Sequence, residues 1–340
     1  MSGNMMLAAY YERKGGASDV LKLSRVPMPE PGAGEVLVRV HASGVNPSDT
    51  KGRGGARGNT AMPFPRIIPH QDGAGVIEAV GAGVDTDRIG RRVWIYEAQL
   101  GRPSGTAAEY TVVPSKNAID LPDGTSFAQG ACLGVPALTA HRAVFADGPV
   151  KGKTVLVTGG AGAVGFYAIQ FAKRGGAFVL ATVSIAEQAS IARRAGADAV
   201  INRTEADVIA AARTATGADG DRSVDRIVDV AFGPNLATSL RLLRPRGVIA
   251  SYASDLEPAP AFPFWEFAAL DATVRCVLVY AMGEQAHLDA IAACTEGVQQ
   301  GWLQHNIAVQ LPLERIVEAH ERVEAGHGSG KVILDVGSPA

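Results

Sequence analysis

Along the first 134 residues, apolar and polar positions alternate in short runs broken by glycine and proline, at 36–41, 75–80, 92–96 and 109–113. Period-two alternation in pieces this short predicts a compact β-barrel-like domain, which the apolar run at 5–11 would enter as a first strand. From 135 to 281 the pattern changes to β-branched runs alternating with helical spacing. Strands are predicted at 154–158, 178–182, 199–201, 226–229, 248–252 and 273–280, with helices such as 187–195, 205–216 and 235–243 between them. Strand–helix alternation implies an α/β parallel sheet with right-handed crossovers, and six strands complete a doubly wound Rossmann domain. Residues 282–340 predict a helix at 285–299, a strand at 305–311, a helix at 313–325 and a strand at 332–335. This tail has no fingerprint of its own and is expected to return to the first domain and complete it.

The chemistry concentrates at 154–176. Thr154-Val155-Leu156-Val157-Thr158 reads as a strand, and Gly159-Gly160-Ala161-Gly162-Ala163-Val164-Gly165 opens a helix patterned by Phe166, Ile169, Phe171 and Ala172. In such a turn Gly160 permits the tight bend, Gly162 lets backbone approach phosphate, and Gly165 lets the helix press on the strand. A pyrophosphate would then face the positive end of the helix. Three spaced glycines alone are weak evidence in a chain with 40 glycines. The strand–turn–helix–strand context is what selects dinucleotide binding over a structural turn.

The second strand of such a domain usually ends in a carboxylate for the ribose diol, about 20 residues past the glycines. Here that place holds Thr182-Val183-Ser184. Without the acid nothing repels a 2′-phosphate, so NADPH is the expected cofactor. Ala231 after the fourth strand, Tyr252 and Ala253 after the fifth, and Val277 and Val279 closing the sixth share the carboxyl edge where open α/β sheets bind ligands.

Composition removes other classes. The chain has 340 residues, 47% hydrophobic, with a net charge of -2, so nothing attracts it to nucleic acid or to an anionic membrane. The apolar start at 5–11 is short, is cut by Glu12-Arg13-Lys14, and lacks a signal-peptide pattern; a cytoplasmic protein is expected. Cys132, Cys276 and Cys294 are far apart among apolar neighbours, which predicts buried, reduced thiols and no structural zinc lobe. The polar, glycine-rich stretch 51–65 is expected to be mobile and to set the width of a substrate pocket.

Several segments together resemble the quinone oxidoreductase (zeta-crystallin-like) branch of the medium-chain dehydrogenase/reductases. They are Val40-His41-Ala42-Ser43-Gly44-Val45-Asn46-Pro47-Ser48-Asp49, Gln71-Asp72-Gly73-Ala74-Gly75-Val76-Ile77, Gly134-Val135-Pro136-Ala137-Leu138-Thr139-Ala140, the glycine motif, Gly196-Ala197-Asp198, Ile201-Asn202 and Gly330-Lys331-Val332-Ile333-Leu334. The resemblance implies that the first domain is GroES-like. In zinc-dependent relatives a cysteine stands at Asn46, a Gly-His-Glu segment at His70-Gln71-Asp72, and another cysteine near Val135. Two amides and a valine cannot replace two thiolates and an imidazole around zinc. His70 would remain as a lone loop histidine, expected to be solvated.

The resemblance further implies NADPH-dependent quinone reduction by direct hydride transfer, with no obligatory acid–base residue. A quinone's own conjugation delocalises the incoming charge, so holding donor and acceptor together suffices. Reduction of α,β-unsaturated ketones, aldehydes or thioesters is the alternative; a cofactor-binding structural or RNA-binding role is a third. Carried over from the family, Asn46 and Asp49 line the nicotinamide side, Thr139 lies beneath the cofactor, and Lys331 lies near its phosphates. The family's adenosine-phosphate lysine and tyrosine are replaced by Gln188 and Arg203, and Arg203 is expected to take over as the planar phosphate partner. His141 stands where relatives carry tyrosine, either as a proton donor or as packing, with packing the better-supported reading. The aromatic run 262–267 reads as packing more than as a substrate lip. The long apolar sixth strand is expected at a sheet edge, pairing two copies into the homodimer known in the family.

Overall fold

The computed structural model describes residues 4–55, 58, 61–326 and 328–337. Two compact units share the chain: Met1–Val135 with Ile307–Ala340, and Pro136–Asn306.

In the second unit six parallel strands stand in the order Ala199–Asn202, Phe178–Val183, Thr154–Val157, Val224–Asp229, Leu243–Ser251, Thr273–Cys276. This is the doubly wound order anticipated from the alternating pattern. Every residue of Thr154–Val157 is buried, as a central strand covered on both faces must be. Helix Val208–Thr216 begins three residues later than its periodicity suggests. The cause is Asp207, whose side chain accepts from the Ala210 amide at 2.8 Å and sets the N-cap. The sixth strand is shorter than its apolar run, because after Cys276 the chain turns into a 3-10 segment at Val279–Ala281. Cys132 and Cys294 are buried as expected, but Cys276 is exposed on this edge.

Helix Glu284–Gln299 belongs to this unit, so the division falls at Asn306 where the sequence pattern placed it at 281. Its buried positions, Ala290, Cys294 and Gly297, face helix Leu138–Phe145 and Trp302. The C-terminal end of helix Leu138–Phe145 is held by Arg226. That fully buried guanidinium donates to the carbonyls of Val144, Asp147 (2.7 Å) and Gly148 (3.0 Å). These are groups that a helix end otherwise leaves unsatisfied.

The first unit is a seven-stranded sheet ordered Ile307–Pro312, Lys331–Asp335, Glu35–Val45, Asp72–Val80, Arg92–Ile95, Ala118–Asp120, with Tyr110–Pro114 paired to Glu35–Val45. A separate hairpin pairs Met5–Tyr10 with Lys22–Pro27. The C-terminal strand Lys331–Asp335 lies antiparallel beside Glu35–Val45, which brings Lys331 to the end carrying Asn46. Helix Pro47–Gly54 follows directly, with proline in its first turn and the left-handed Gly55 (φ 75°) ending it. It takes the first residues of the stretch expected to be mobile; residues 56, 57, 59 and 60 of that stretch lie outside the described ones.

Candidate active site

In the second unit the glycine turn has the shape its spacing predicts. Gly159 is left-handed (φ 65°), and its N–H donates to Thr182 Oγ1 at 3.3 Å. A Cβ on Gly165 would lie 2.3 Å from the Gly159 carbonyl oxygen, and one on Gly160 would lie 2.8 Å from Ala181 Cβ. Gly162 is the N-cap of helix Ala163–Arg174 and no side chain caps it. The first amides of that helix, at Ala163, Val164 and Gly165, are therefore open to an anion. Ala161 is buried beneath the turn.

Past the second strand the structure gathers Ser184, Gln188 and Arg203. Gln188 Oε1 accepts from the Ser184 amide at 2.9 Å, and Arg203 Nε donates to Ser184 Oγ at 3.0 Å. The remaining guanidinium face of Arg203 is exposed. Thr204 Oγ1 donates to the Ser184 carbonyl at 3.1 Å and ties together the ends of the two neighbouring strands Phe178–Val183 and Ala199–Asn202.

On the fourth strand Asp229, not foreseen from sequence, organises the carboxyl edge. Its Oδ1 accepts from Thr158 Oγ1 (2.7 Å), Asn235 Nδ2 (2.7 Å) and the Ala231 amide (3.2 Å), while its Oδ2 is buried without a partner. Thr158 in turn accepts from the Val230 amide at 2.9 Å. Ala253 accepts from the Phe232 amide, and the Tyr252 amide donates to the Asp229 carbonyl. Burial raises the Tyr252 phenol above its ordinary range, with the Asp229 charge adding to it. Val277 and Val279 are buried at the end of the sixth strand.

Thr139 is buried in helix Leu138–Phe145, and His141 packs against Phe145 and Phe171 with ring centroids 5.0 and 5.4 Å apart. Burial lowers the His141 pKa to about 4. A ring that stays neutral at physiological pH favours the packing reading over proton donation. In the aromatic run, Phe264 and Trp265 are exposed at 60% and 81%, while Phe262 stacks on the buried Phe267 at 4.8 Å.

The first unit holds the other cluster. Asn46, at the N-cap of Pro47–Gly54, donates from Nδ2 to Asp72 Oδ2 at 2.9 Å and accepts at Oδ1 from Lys331 Nζ. Lys331 Nζ also meets Asp72 Oδ2 at 2.8 Å, and the Val135 amide donates to Asp72 Oδ1 at 2.9 Å. Lys331, expected near phosphates, instead closes this buried knot. Asp49 lies at N3 of the same helix, its Oδ2 accepting from the Asn46 amide at 2.7 Å. Gly134 makes the knot possible, since a Cβ there would stand 2.1 Å from Asp72 Oδ1.

His70 is not solvated. It is fully buried within a chain of hydrogen bonds from Arg53 through His320, His70, Ser43 and Thr106 to the Asp72 carbonyl. The two ends fix the direction. Arg53 Nε only donates, so His320 accepts at Nδ1 (3.3 Å) and donates from Nε2 to His70 Nε2 (2.9 Å). His70 then donates from Nδ1 to Ser43 Oγ (2.8 Å), Ser43 to Thr106 Oγ1 (2.7 Å), and Thr106 to the carbonyl (2.6 Å). Burial keeps both imidazoles neutral: His70 is well below its ordinary pKa, and His320 is lowered to about 3.

Comparison with known proteins matches residues 32–123 to the alcohol dehydrogenase GroES-like domain and 163–293 to the zinc-binding dehydrogenase family. Over 339 residues the chain is 33% identical to a quinone oxidoreductase of Mus musculus, covering 98% of this chain and 99% of that one. This chain belongs to the quinone oxidoreductase family. A 2-haloacrylate reductase of a Burkholderia species is 29% identical over 97% of this chain and 99% of its own. Among solved structures, a mycobacterial protein complexed with NADPH superposes with TM-score 0.83 and 28% identity, covering 97% of this chain and 99% of that one.

Zinc, named by one of the matching families, does not fit these residues. Among the described residues no three His, Cys, Asp or Glu side chains group to hold a metal ion. Asp72 has both oxygens engaged, Gln71 is bonded to the Gln99 amide at 3.1 Å, and both buried histidines use both ring nitrogens. The Cys132 thiol, pushed up to about 12 by burial, points at the Ala128 carbonyl. None of these donors is a free thiolate or imidazole.

Proposed function

We propose that the protein is an NADPH-dependent quinone reductase that transfers hydride directly, without a metal. The observation that carries the reading is the open glycine cradle coupled to Ser184 and Arg203 on an edge that lacks a ribose-binding carboxylate. NADPH, when bound, supplies the hydride. The helix amides at 163–165 would hold its pyrophosphate, and Arg203 with the Ser184 hydroxyl its 2′-phosphate. Thr158, Asp229 and Asn235 fix the backbone of 230–231 on the same edge. With no Lewis acid, the acceptor must be electrophilic by its own conjugation, as quinones are. The kinship with quinone oxidoreductases over nearly the whole chain supports that acceptor class.

A second reading, reduction of an activated C=C bond, draws support from the similarity to a 2-haloacrylate reductase. It requires a proton delivered to carbon. Following NADPH oxidation with benzoquinone, phenanthrenequinone and a simple enone side by side, before and after chelator treatment, separates the readings. Activity with quinones alone, unaffected by chelator, is the expected result. Activity with the enone alone would promote the second reading, and silence with all three would leave only a structural or RNA-binding role.

The same proposal includes a homodimer in the cytoplasm. Strand Thr273–Cys276 is the free edge of its sheet, and Phe264, Trp265 and Leu278 nearby in sequence are exposed. No helix among the described residues is long and apolar enough to cross a membrane. A monomeric mass by light scattering at micromolar concentration would refute the dimer.

A further inference from the structure

In the second unit Asp229 is a carboxylate buried without a cation. It ends strand Val224–Asp229 and is 0% exposed. Every group that bonds it is neutral: Thr158 Oγ1, Asn235 Nδ2 and the Ala231 amide all donate to Oδ1, and Oδ2 is buried with no partner. Such a charge is costly to bury, and an amide oxygen could accept the same three hydrogen bonds without it. Its place in the sheet gives the charge a target. Val224–Asp229 and Thr154–Val157 are the parallel neighbours where the strand order reverses, and a doubly wound sheet receives its dinucleotide across that crevice. The residues directly after Asp229 form the surface of this edge: Val230 is 38% exposed, and Thr158 holds its amide at 2.9 Å. That surface abuts the glycine turn, since a Cβ on Gly159 would stand 3.1 Å from Val230 Cγ1. The carboxylate is also felt toward the fifth strand, where it adds to the effect of burial in raising the Tyr252 phenol.

We propose that the unpaired Asp229 carboxylate sets the field along this edge so that binding shifts toward the oxidised, pyridinium form of the cofactor. Hydride donation moves one hydrogen and two electrons from the neutral dihydronicotinamide to the acceptor and leaves one positive charge on the ring. The phosphate charges are the same before and after. A fixed anion beneath the edge therefore favours NADP+ over NADPH and makes the bound reduced form a stronger hydride donor. Asp229 touches neither reacting atom; it acts through its charge, and Thr158 and Asn235 hold that charge in place. The inference rests on the NADPH reading and on no particular acceptor, so it is tested by binding alone.

Titration of the full-length protein gives Kd for NADPH from its fluorescence and for NADP+ by calorimetry. In Asp229→Asn, which keeps an oxygen for the three donors, the ratio of Kd for NADP+ to Kd for NADPH should rise on the order of 3- to 10-fold, as for two unit charges coupled across a partly solvated site. Asp229→Ser, smaller and equally neutral, should repeat the shift and carries the test if the Asn variant does not fold. Asn235→Ala removes a neighbouring donor but keeps the charge, so it should weaken both nucleotides alike and leave the ratio at its wild-type value. A folded neutral variant that binds both nucleotides in the wild-type ratio overturns the proposal. So does an Asn235→Ala variant that reproduces the shift, because the effect would then come from packing and not from charge. Wild-type protein that binds neither nucleotide would sink the NADPH reading itself, a failure distinct from an unchanged ratio.

Discussion

Removing Lys331 tests whether the knot around Asp72 is held by a desolvated ion pair. Lys331 is 3% exposed and Asp72 0%, with 2.8 Å between Nζ and Oδ2. Lys331→Met leaves a carboxylate buried without its countercharge, a situation that costs about 3–5 kcal/mol. Asp72 retains donors in Asn46 Nδ2 and the Val135 amide, both at 2.9 Å, so the lower end, about 3 kcal/mol, is expected. For a unit of this size, that corresponds to a melting shift of roughly 6–12 °C. Urea unfolding followed by Trp94, buried in this unit, reads it directly. Asp72→Asn combined with Lys331→Met removes both charges and should cost less than Lys331→Met alone. A single-variant cost below about 1 kcal/mol, the range of an exposed pair, or a double variant equal to the sum of the singles, would refute the reasoning.

Three further outcomes follow from other parts of the molecule. Arg203→Ala should raise KM for NADPH by about 10- to 100-fold while leaving NADH nearly unchanged, the worth of one charge-assisted contact; an unchanged NADPH-to-NADH ratio removes Arg203 from the phosphate site. Gly134→Ala drives a Cβ to 2.1 Å from Asp72 Oδ1 and should destabilise the first unit by about 1–3 kcal/mol in urea; a neutral result would mean the turn can relax. His320, neutral in the fold with its pKa lowered to about 3, contributes stability that is full above the unfolded value of 6.5 and is lost as pH falls between the two. Urea midpoints should therefore decline below pH 6.5, and the decline should be shallower in His320→Asn.

What could be read in the sequence was local. The glycine turn, its strand and its helix lie within 25 residues, so spacing alone constrains their geometry, and the parallel order follows from the alternation. Apart from the helix start set by Asp207, the differences come from a pattern that says a surface is buried without saying against what. The pattern predicts a helix at 285–299, but only the fold shows that its buried positions meet helix Leu138–Phe145. The run 272–280 is apolar enough for one strand, yet at a sheet edge its second half is free to turn. Asn46 and Asp72 are 26 residues apart and Asn46 and Lys331 are 285, while His70 meets His320 across 250. No window of sequence spans such separations. The legible traces were Gly44 and Gly134, each of which would drive a Cβ into this cluster.

Asn46, Asp72 and Lys331 depend on one another through these hydrogen bonds. Asn46 is amphoteric: its oxygen accepts from Lys331 while its nitrogen donates to Asp72, so one amide brackets a cation and an anion that also meet directly at 2.8 Å. A thiolate at 46 would accept from Lys331 but could not donate to Asp72. It would also add a second anion within reach of Asp72, which already opposes ionisation of Asp49. Lys331 supplies the positive charge that Asp72 meets inside the fold, and it is fixed by the strand pairing of Lys331–Asp335 with Glu35–Val45. Restoring a cysteine at 46 alone would therefore break this hydrogen-bond order without assembling a zinc site, because Gln71 and Val135 supply neither imidazole nor thiolate.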